Sequence, residues 1–117
     1  MAAELPPGCI AAKRHFSAVA GACHALDQAG GSDQYVVCGM EAHVCVLQTV
    51  LELLAGSRQV FVVDEAVGSR RESDKALALT RMRAAGASIV SREMVAFEWL
   101  RRADSTLFRE ISRDFLR

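Results

Sequence analysis

The stretch "VVCGMEAHVCVLQTVLELL", Val36 to Leu54, decides the fold of this chain. It continues an apolar run that begins at Gln34 and stops at Gly39. This run lacks polar alternation, which predicts a strand covered on both faces. From His43 to Gly56 the apolar positions go nearly all round a helical projection, so a buried helix is expected. Cys45 falls where this helix begins.

The same alternation of strand and helix continues along the chain. Further strands are predicted over Gln59–Asp64 and Ala87–Ser91, and helices over Ser17–Gly30, within Ser69–Gly86, over Arg92–Ala103 and from about Ser105. Short connections between such elements give right-handed βαβ units and a parallel sheet. We therefore predict a single α/β domain over residues 1–117, with an irregular segment at 1–12 and about three core strands. Three strands make a small sheet for so apolar a chain.

Composition limits the classes of function. The 117 residues carry 14 Lys+Arg and 14 Asp+Glu, so no basic excess points to nucleic acid or to a membrane surface. No apolar run approaches the ~20 residues that span a bilayer, and the first residues lack a secretory pattern, so a cytoplasmic protein is expected. The hydrophobic fraction of 51% favours a homo-oligomer. The four cysteines form no CxxC pair, which argues against zinc and disulfides.

Cys45 is the candidate for chemistry. Ligands of open α/β sheets bind beyond the carboxyl ends of the strands, where Cys45 is expected. Unpaired N–H groups at a helix start stabilise a thiolate and can hold an oxyanion. The alternative is a small apolar residue in a core, which is the prediction for Cys23 and Cys38. His43 stands two residues from Cys45, a spacing that does not bring side chains together on a helix, so a Cys–His dyad is not favoured.

Together with "VFVVDEAVGSR" and "ALALTRMRAAGASIVSREMVAFEWL", the opening stretch resembles the isochorismatase-like cysteine hydrolases. That superfamily includes isochorismatases, nicotinamidases and N-carbamoylsarcosine amidases, and the resemblance covers about residues 13 to 117. It implies a three-layer α/β/α fold with a parallel sheet. It also implies hydrolysis of a small-molecule amide, or cleavage of a vinyl ether, through a cysteine nucleophile. No cofactor or metal is expected.

The resemblance also implies roles for individual residues. Cys45 takes the position of the nucleophile, and Lys13, in "KRHFSAV", takes that of the family's lysine. A cis peptide is implied between Met40 and Glu41. The backbone of Met40, Glu41 and Ala42 is then implied at the substrate oxygen, with the amides of Glu41 and Cys45 as oxyanion donors.

The family's third catalytic residue, an aspartate ahead of the lysine, has no counterpart among the twelve residues before Lys13. The chain thus resembles the C-terminal part of the hydrolase. Asp27, Asp33 and Asp64 are the internal candidates to replace it, of which Asp64, which ends the neighbouring strand, is the best, and an aspartate from a partner chain is another. Two further hypotheses stay open: an inactive copy that acts as an oligomerising domain, and a redox-sensing thiol at Cys45.

Overall fold

A three-stranded parallel sheet organises the part of the chain that the computed structural model describes, residues 13–19 and 33–100. The strands follow the order β1–β2–β3. Their bounds are β1 Gln34–Met40, β2 Gln59–Gly68 and β3 Ser88–Val90. A π-helical turn, Ala42–Val46, leads into α1, and the helices are α1 Leu47–Ala55, α2 Glu72–Ala84 and α3 Arg92–Leu100. The predicted α/β class and the parallel sheet are confirmed.

The core lies between one face of the sheet and helices α1 and α2. Val60 and Val62 of β2 are buried against Val50 and Leu53 of α1 and Met82 of α2. Burying each of these side chains contributes about 1.5–3 kcal/mol, so this layer holds the strands and α1 in place. The opposite face of the sheet carries α3, and a cavity of about 240 Å³ lies between them. That cavity is lined by Gln34, Val36, Phe61, Val95, Glu98 and Trp99.

Strand β1 is less covered than its sequence predicts. Tyr35 and Val37 are half-buried toward the core, but Val36, Cys38 and Met40 are exposed. The predictions of a strand covered on both faces and of a core Cys38 are therefore wrong. An unbroken apolar run indicates which side chains can be buried, but whether they are buried depends on which other elements pack against the strand.

Strand β2 continues past the predicted end at Asp64 to Gly68. The register explains the difference. Val37 pairs with Val62, but two residues later Gly39 pairs with Val67, so β2 bulges over residues 63–66. Its polar residues Asp64 and Glu65 are exposed on this bulge before the strand rejoins β1. A second apolar stretch brings β2 back beside the end of β1, where the candidate site lies.

Some predictions fall outside the described residues. These are the irregular segment at 1–12, most of the predicted helix Ser17–Gly30 with Cys23, the end of the helix Arg92–Ala103, and the helix expected from about Ser105. Within the described ranges, no helix has the length and apolar character needed to cross a membrane.

Candidate active site

The backbone between β1 and α1 positions Cys45. Near the end of strand β1, Gly39 has φ +126°, and a cis peptide joins Met40, the last residue of the strand, to Glu41. The cis bond that the family resemblance implied is thus confirmed. The carbonyl of Glu41 then accepts the amide N–H groups of Val44 and Val46, at 3.1 and 3.2 Å. The second of these bonds spans five residues, which makes the turn π-helical, a conformation frequent at functional sites.

Lys13 contacts the thiol of Cys45 from a segment 32 residues away in sequence. Its Nζ lies 3.7 Å from Sγ. The same ammonium donates to the backbone carbonyls of His15 at 2.9 Å and Phe16 at 2.8 Å. An ammonium has three N–H donors, so these three contacts account for all of them. Cys45 is partly buried while Lys13 is exposed, so the pair lies at the protein surface.

A polar cluster surrounds the π turn. His43 lies 2.8 Å from the hydroxyl of Ser69 through Nδ1, 3.5 Å from a carboxylate oxygen of Glu41, and 3.7 Å from Asp74 through Nε2. The backbone N–H of Arg70 donates to Glu41 at 3.4 Å, and the Arg70 Nε lies 3.4 Å from the same carboxylate. These contacts tie the end of β1 to the β2–α2 connection. They occupy His43 with groups other than Cys45, in agreement with the expectation that no Cys–His dyad forms.

Asp64, the predicted internal substitute for the family's aspartate, has a partner other than Cys45. Its carboxylate pairs with Lys75 Nζ at 3.7 Å and makes no hydrogen bond to Cys45 within residues 13–19 and 33–100. Glu65, beside it, accepts the backbone N–H of Arg92 at 2.9 Å and pairs with the Arg92 side chain. Of the side chains that the structure describes, only that of Lys13 makes a polar contact with Sγ. The described chain thus supplies a cation to the thiol but no proton acceptor.

Sequence reasoning missed two residues of this region. Ser69 bonds to His43, a contact over 26 positions that no local pattern indicates. Thr49 donates to the carbonyl of Cys45 at 2.7 Å and accepts the amide N–H of Ala18 at 2.8 Å. A threonine in a mostly apolar helix, one turn after Cys45, is a signal that could have found it. Among the described residues, no cluster of three or more His, Cys, Asp or Glu could hold a metal.

Comparison with known proteins identifies the family. The isochorismatase domain matches residues 2–94. The isochorismatase domain-containing protein 2A of Mus musculus is 36% identical over 101 residues, which cover 86% of this chain and 49% of that protein. The chain spans about half the length of the curated relatives it matches.

Solved structures agree with the fold. The MAR1 ribonuclease of Caenorhabditis elegans superposes with a TM-score of 0.77 at 32% identity, over 88% of this chain and 53% of that one. The YcaC gene product of Escherichia coli, described as an octameric hydrolase of unknown specificity, gives 0.74 at 30% identity, over 80% and 47%. The chain belongs to the isochorismatase-like hydrolase family.

Proposed function

We propose that Cys45 is the nucleophile of a cysteine hydrolase that acts on a small amide or vinyl ether. The observation that carries the proposal is the 3.7 Å contact between Lys13 Nζ and Cys45 Sγ. A positive charge beside a thiol favours its thiolate form, and the thiolate is the nucleophile. A partly exposed cysteine beside a cation, at the end of a parallel strand, is an arrangement suited to attack on a bound electrophile.

The amide reaction proceeds in two steps. The Cys45 thiolate attacks the carbonyl carbon, and the carbonyl π electrons move to oxygen. Collapse of this tetrahedral species expels the amine, which takes a proton, and leaves a thioester on Cys45. Water then attacks the thioester, releases the carboxylic acid and regenerates the thiol. With a vinyl ether, the alkene takes a proton at its terminal carbon and the Cys45 thiolate adds to the ether-bearing carbon. The alcohol then leaves with a proton, water adds to the same carbon, and the thiol departs as the ketone forms.

We assign the substrate oxygen to the backbone of Met40, Glu41 and Ala42. The support is their position from the last residue of β1 to the first residue of the π turn, the same turn that contains Cys45. The amides of Glu41 and Cys45 are the proposed oxyanion donors, since donors aimed at developing charge lower the barrier to acyl transfer. In this proposal Lys13, whose Nζ lies 3.7 Å from Sγ, offsets negative charge at sulfur.

A base is still needed to take the thiol proton during turnover. The described residues place no carboxylate against Sγ, so we propose that an aspartate from another polypeptide segment supplies this function. Nucleophilicity of Cys45 and turnover are then separate properties: the first depends on Lys13, and the second depends on the base as well.

The test incubates the protein with a panel of small amides and vinyl ethers. Ammonia or acid release is measured, and a thioester on Cys45 is trapped by peptide mass spectrometry. The Cys45→Ser variant should release no product, and the matched Cys38→Ser variant, which removes an exposed thiol on β1, should behave as wild type. Equal release by the Cys45→Ser variant would contradict the proposal. RNA is included because a structural neighbour is described as a ribonuclease, and RNA cleavage that survives Cys45→Ser would also count against it.

We also propose that the protein self-associates and is cytoplasmic. The E. coli neighbour is described as octameric, and α3 exposes Trp99 to 74% and Met94 to 54%. Sedimentation velocity should show a species larger than one chain, and Trp99→Glu should reduce its size while Leu77→Glu, on exposed α2 surface, should not. A single-chain species in the wild type would contradict self-association. Cell fractionation tests the location.

A further inference from the structure

The hydroxyl of Thr49 joins the segment that carries Lys13 to helix α1, which follows the π turn that contains Cys45. Within the described ranges, two polar contacts connect residues 13–19 with the π turn and α1: the Lys13–Cys45 contact and the bond from Ala18 N–H to Thr49 Oγ1. Thr49 also donates its hydroxyl proton to the carbonyl of Cys45, at 2.7 Å. Its oxygen therefore bonds to the backbone of Cys45 and to the backbone of Ala18, which lies in the segment that carries Lys13.

The two bonds fix the direction of the Thr49 hydroxyl. A hydroxyl has one proton and two lone pairs. The proton is committed to the Cys45 carbonyl, so a lone pair is available to the Ala18 amide. Thr80 on α2 provides a contrast: it makes the same backward bond, to Ala76 at 3.0 Å, but it is exposed and has no second partner among the described residues. The backward bond is common for threonine, while the bridge to Ala18 is specific to Thr49.

We propose that Thr49 is a positioning residue that sets the distance between Lys13 and Cys45. The segment folds around the Lys13 ammonium through the carbonyls of His15 and Phe16. It is therefore a small unit whose placement determines where Nζ lies. The Ala18–Thr49 bond holds this unit on the helix, one turn from the thiol. The inference deepens the proposed function and rests on it, because it treats Lys13 and Cys45 as the reactive pair.

Thr49 shares this task with apolar packing. Ser17 is buried, with its hydroxyl accepting the amide N–H of Val19, and Val19 packs against the core. Loss of the Thr49 hydroxyl should therefore loosen the segment without releasing it. One intramolecular hydrogen bond is worth about fivefold in an equilibrium constant. Because apolar packing still holds the segment, we expect alkylation of Cys45 to slow by less than about fivefold, and by less than on removal of the Lys13 charge itself.

The experiment compares Thr49→Val, Thr49→Ser and Thr80→Val with wild type. Valine keeps the shape and removes the hydroxyl, serine keeps the hydroxyl, and Thr80→Val is the matched control on α2. Two quantities are measured: the rate of iodoacetamide alkylation at Cys45, with exposed Cys38 as the reference thiol, and hydrogen exchange of the Ala18 amide by NMR. If the valine variant does not fold, Thr49→Ala takes its place.

The inference predicts slower alkylation and faster Ala18 exchange in Thr49→Val, both restored in Thr49→Ser and both unchanged in Thr80→Val. Wild-type rates in Thr49→Val, or equal losses in the serine and valine variants, would overturn it. A wild-type Cys45 that reacts no faster than Cys38 would instead refute the proposed function. In that case Ala18 exchange still decides whether Thr49 holds the segment.

Discussion

Replacing Lys13 by methionine should slow alkylation of Cys45 at neutral pH. Methionine keeps an unbranched side chain and removes the charge. The ammonium lies 3.7 Å from Sγ. Two unit charges at that distance interact by about 1 kcal/mol in bulk water and by roughly 4 kcal/mol at an effective dielectric constant of 20. Since Lys13 is exposed, the lower value applies, which corresponds to about a fivefold loss of rate.

The assay is iodoacetamide alkylation, resolved by peptide mass spectrometry so that each cysteine is followed separately. Lys75→Met is the matched control, because the Lys75 ammonium also lies 3.7 Å from its partner, but that partner is Asp64. Lys13→Arg, which keeps the charge, should retain part of the rate. The difference between wild type and Lys13→Met should shrink in high salt, because the Debye length falls from about 30 Å at 0.01 M to about 3 Å at 1 M.

Two results would refute this reasoning. One is a Lys13→Met protein that alkylates at the wild-type rate in low salt. The other is a Lys75→Met protein that slows as much as Lys13→Met, since the loss would then report a general change in the fold.

Two further predictions concern stability. Leu53→Ala should lower the free energy of unfolding by about 3 kcal/mol in urea denaturation, because Leu53 is only 2% exposed and truncation of its side chain leaves a cavity. The control, Leu77→Ala at an exposed position, should change the free energy of unfolding by less than about 0.5 kcal/mol. Equal losses in the two variants would contradict the assignment of Leu53 to the core. Gly39→Ala should cost about 1–3 kcal/mol in thermal or urea unfolding because its φ is +126°, although in the described part of the chain no atom beyond the two neighbouring residues lies within 4 Å of the added Cβ. Gly56→Ala is the control, since Gly56 has an ordinary φ of −85°, and a tolerated Gly39→Ala would show that the turn can relax.

The order of elements could be predicted because each has a local signal. The apolar run to Gly39 predicted β1, and the apolar pattern from His43 to Gly56 predicted one helix, which the structure forms as a π turn followed by α1. The bulge of β2 over residues 63–66 could not be predicted, because its polar residues read as the end of a strand. The chain rejoins β1 at Val67 through pairing with Gly39, a long-range contact with no local signal.

Only some of the residues around the thiol could likewise be predicted from the sequence. Cys45 stands out because a thiol follows a strand end, and Lys13 was indicated only by the family resemblance. The bridge through Thr49 depends on a hydroxyl that meets an amide 31 residues away, and the 2.8 Å contact of His43 with Ser69 depends on the return of β2 to the end of β1. Such contacts are set by tertiary packing, so a single sequence offers the residue types but not the pairs.

Because the described residues supply a cation to the thiol but no base, the reactivity of Cys45 and the hydrolysis of substrate should be measured separately. Among the described residues, only the side chain of Lys13 makes a polar contact with Sγ, so in the proposed reaction the thiol proton goes to solvent or to a base on another segment. Alkylation needs only the thiolate, but hydrolysis also needs proton transfer to the leaving amine and from the attacking water. A protein whose Cys45 is alkylated rapidly but which hydrolyses amides slowly would therefore have a reactive nucleophile and lack the base. Addition of a polypeptide segment that supplies an aspartate should then raise the rate of amide hydrolysis without changing the rate of alkylation at Cys45. If both rates rise together, the added segment acts on the thiol itself, and the division of roles between Lys13 and the base is wrong.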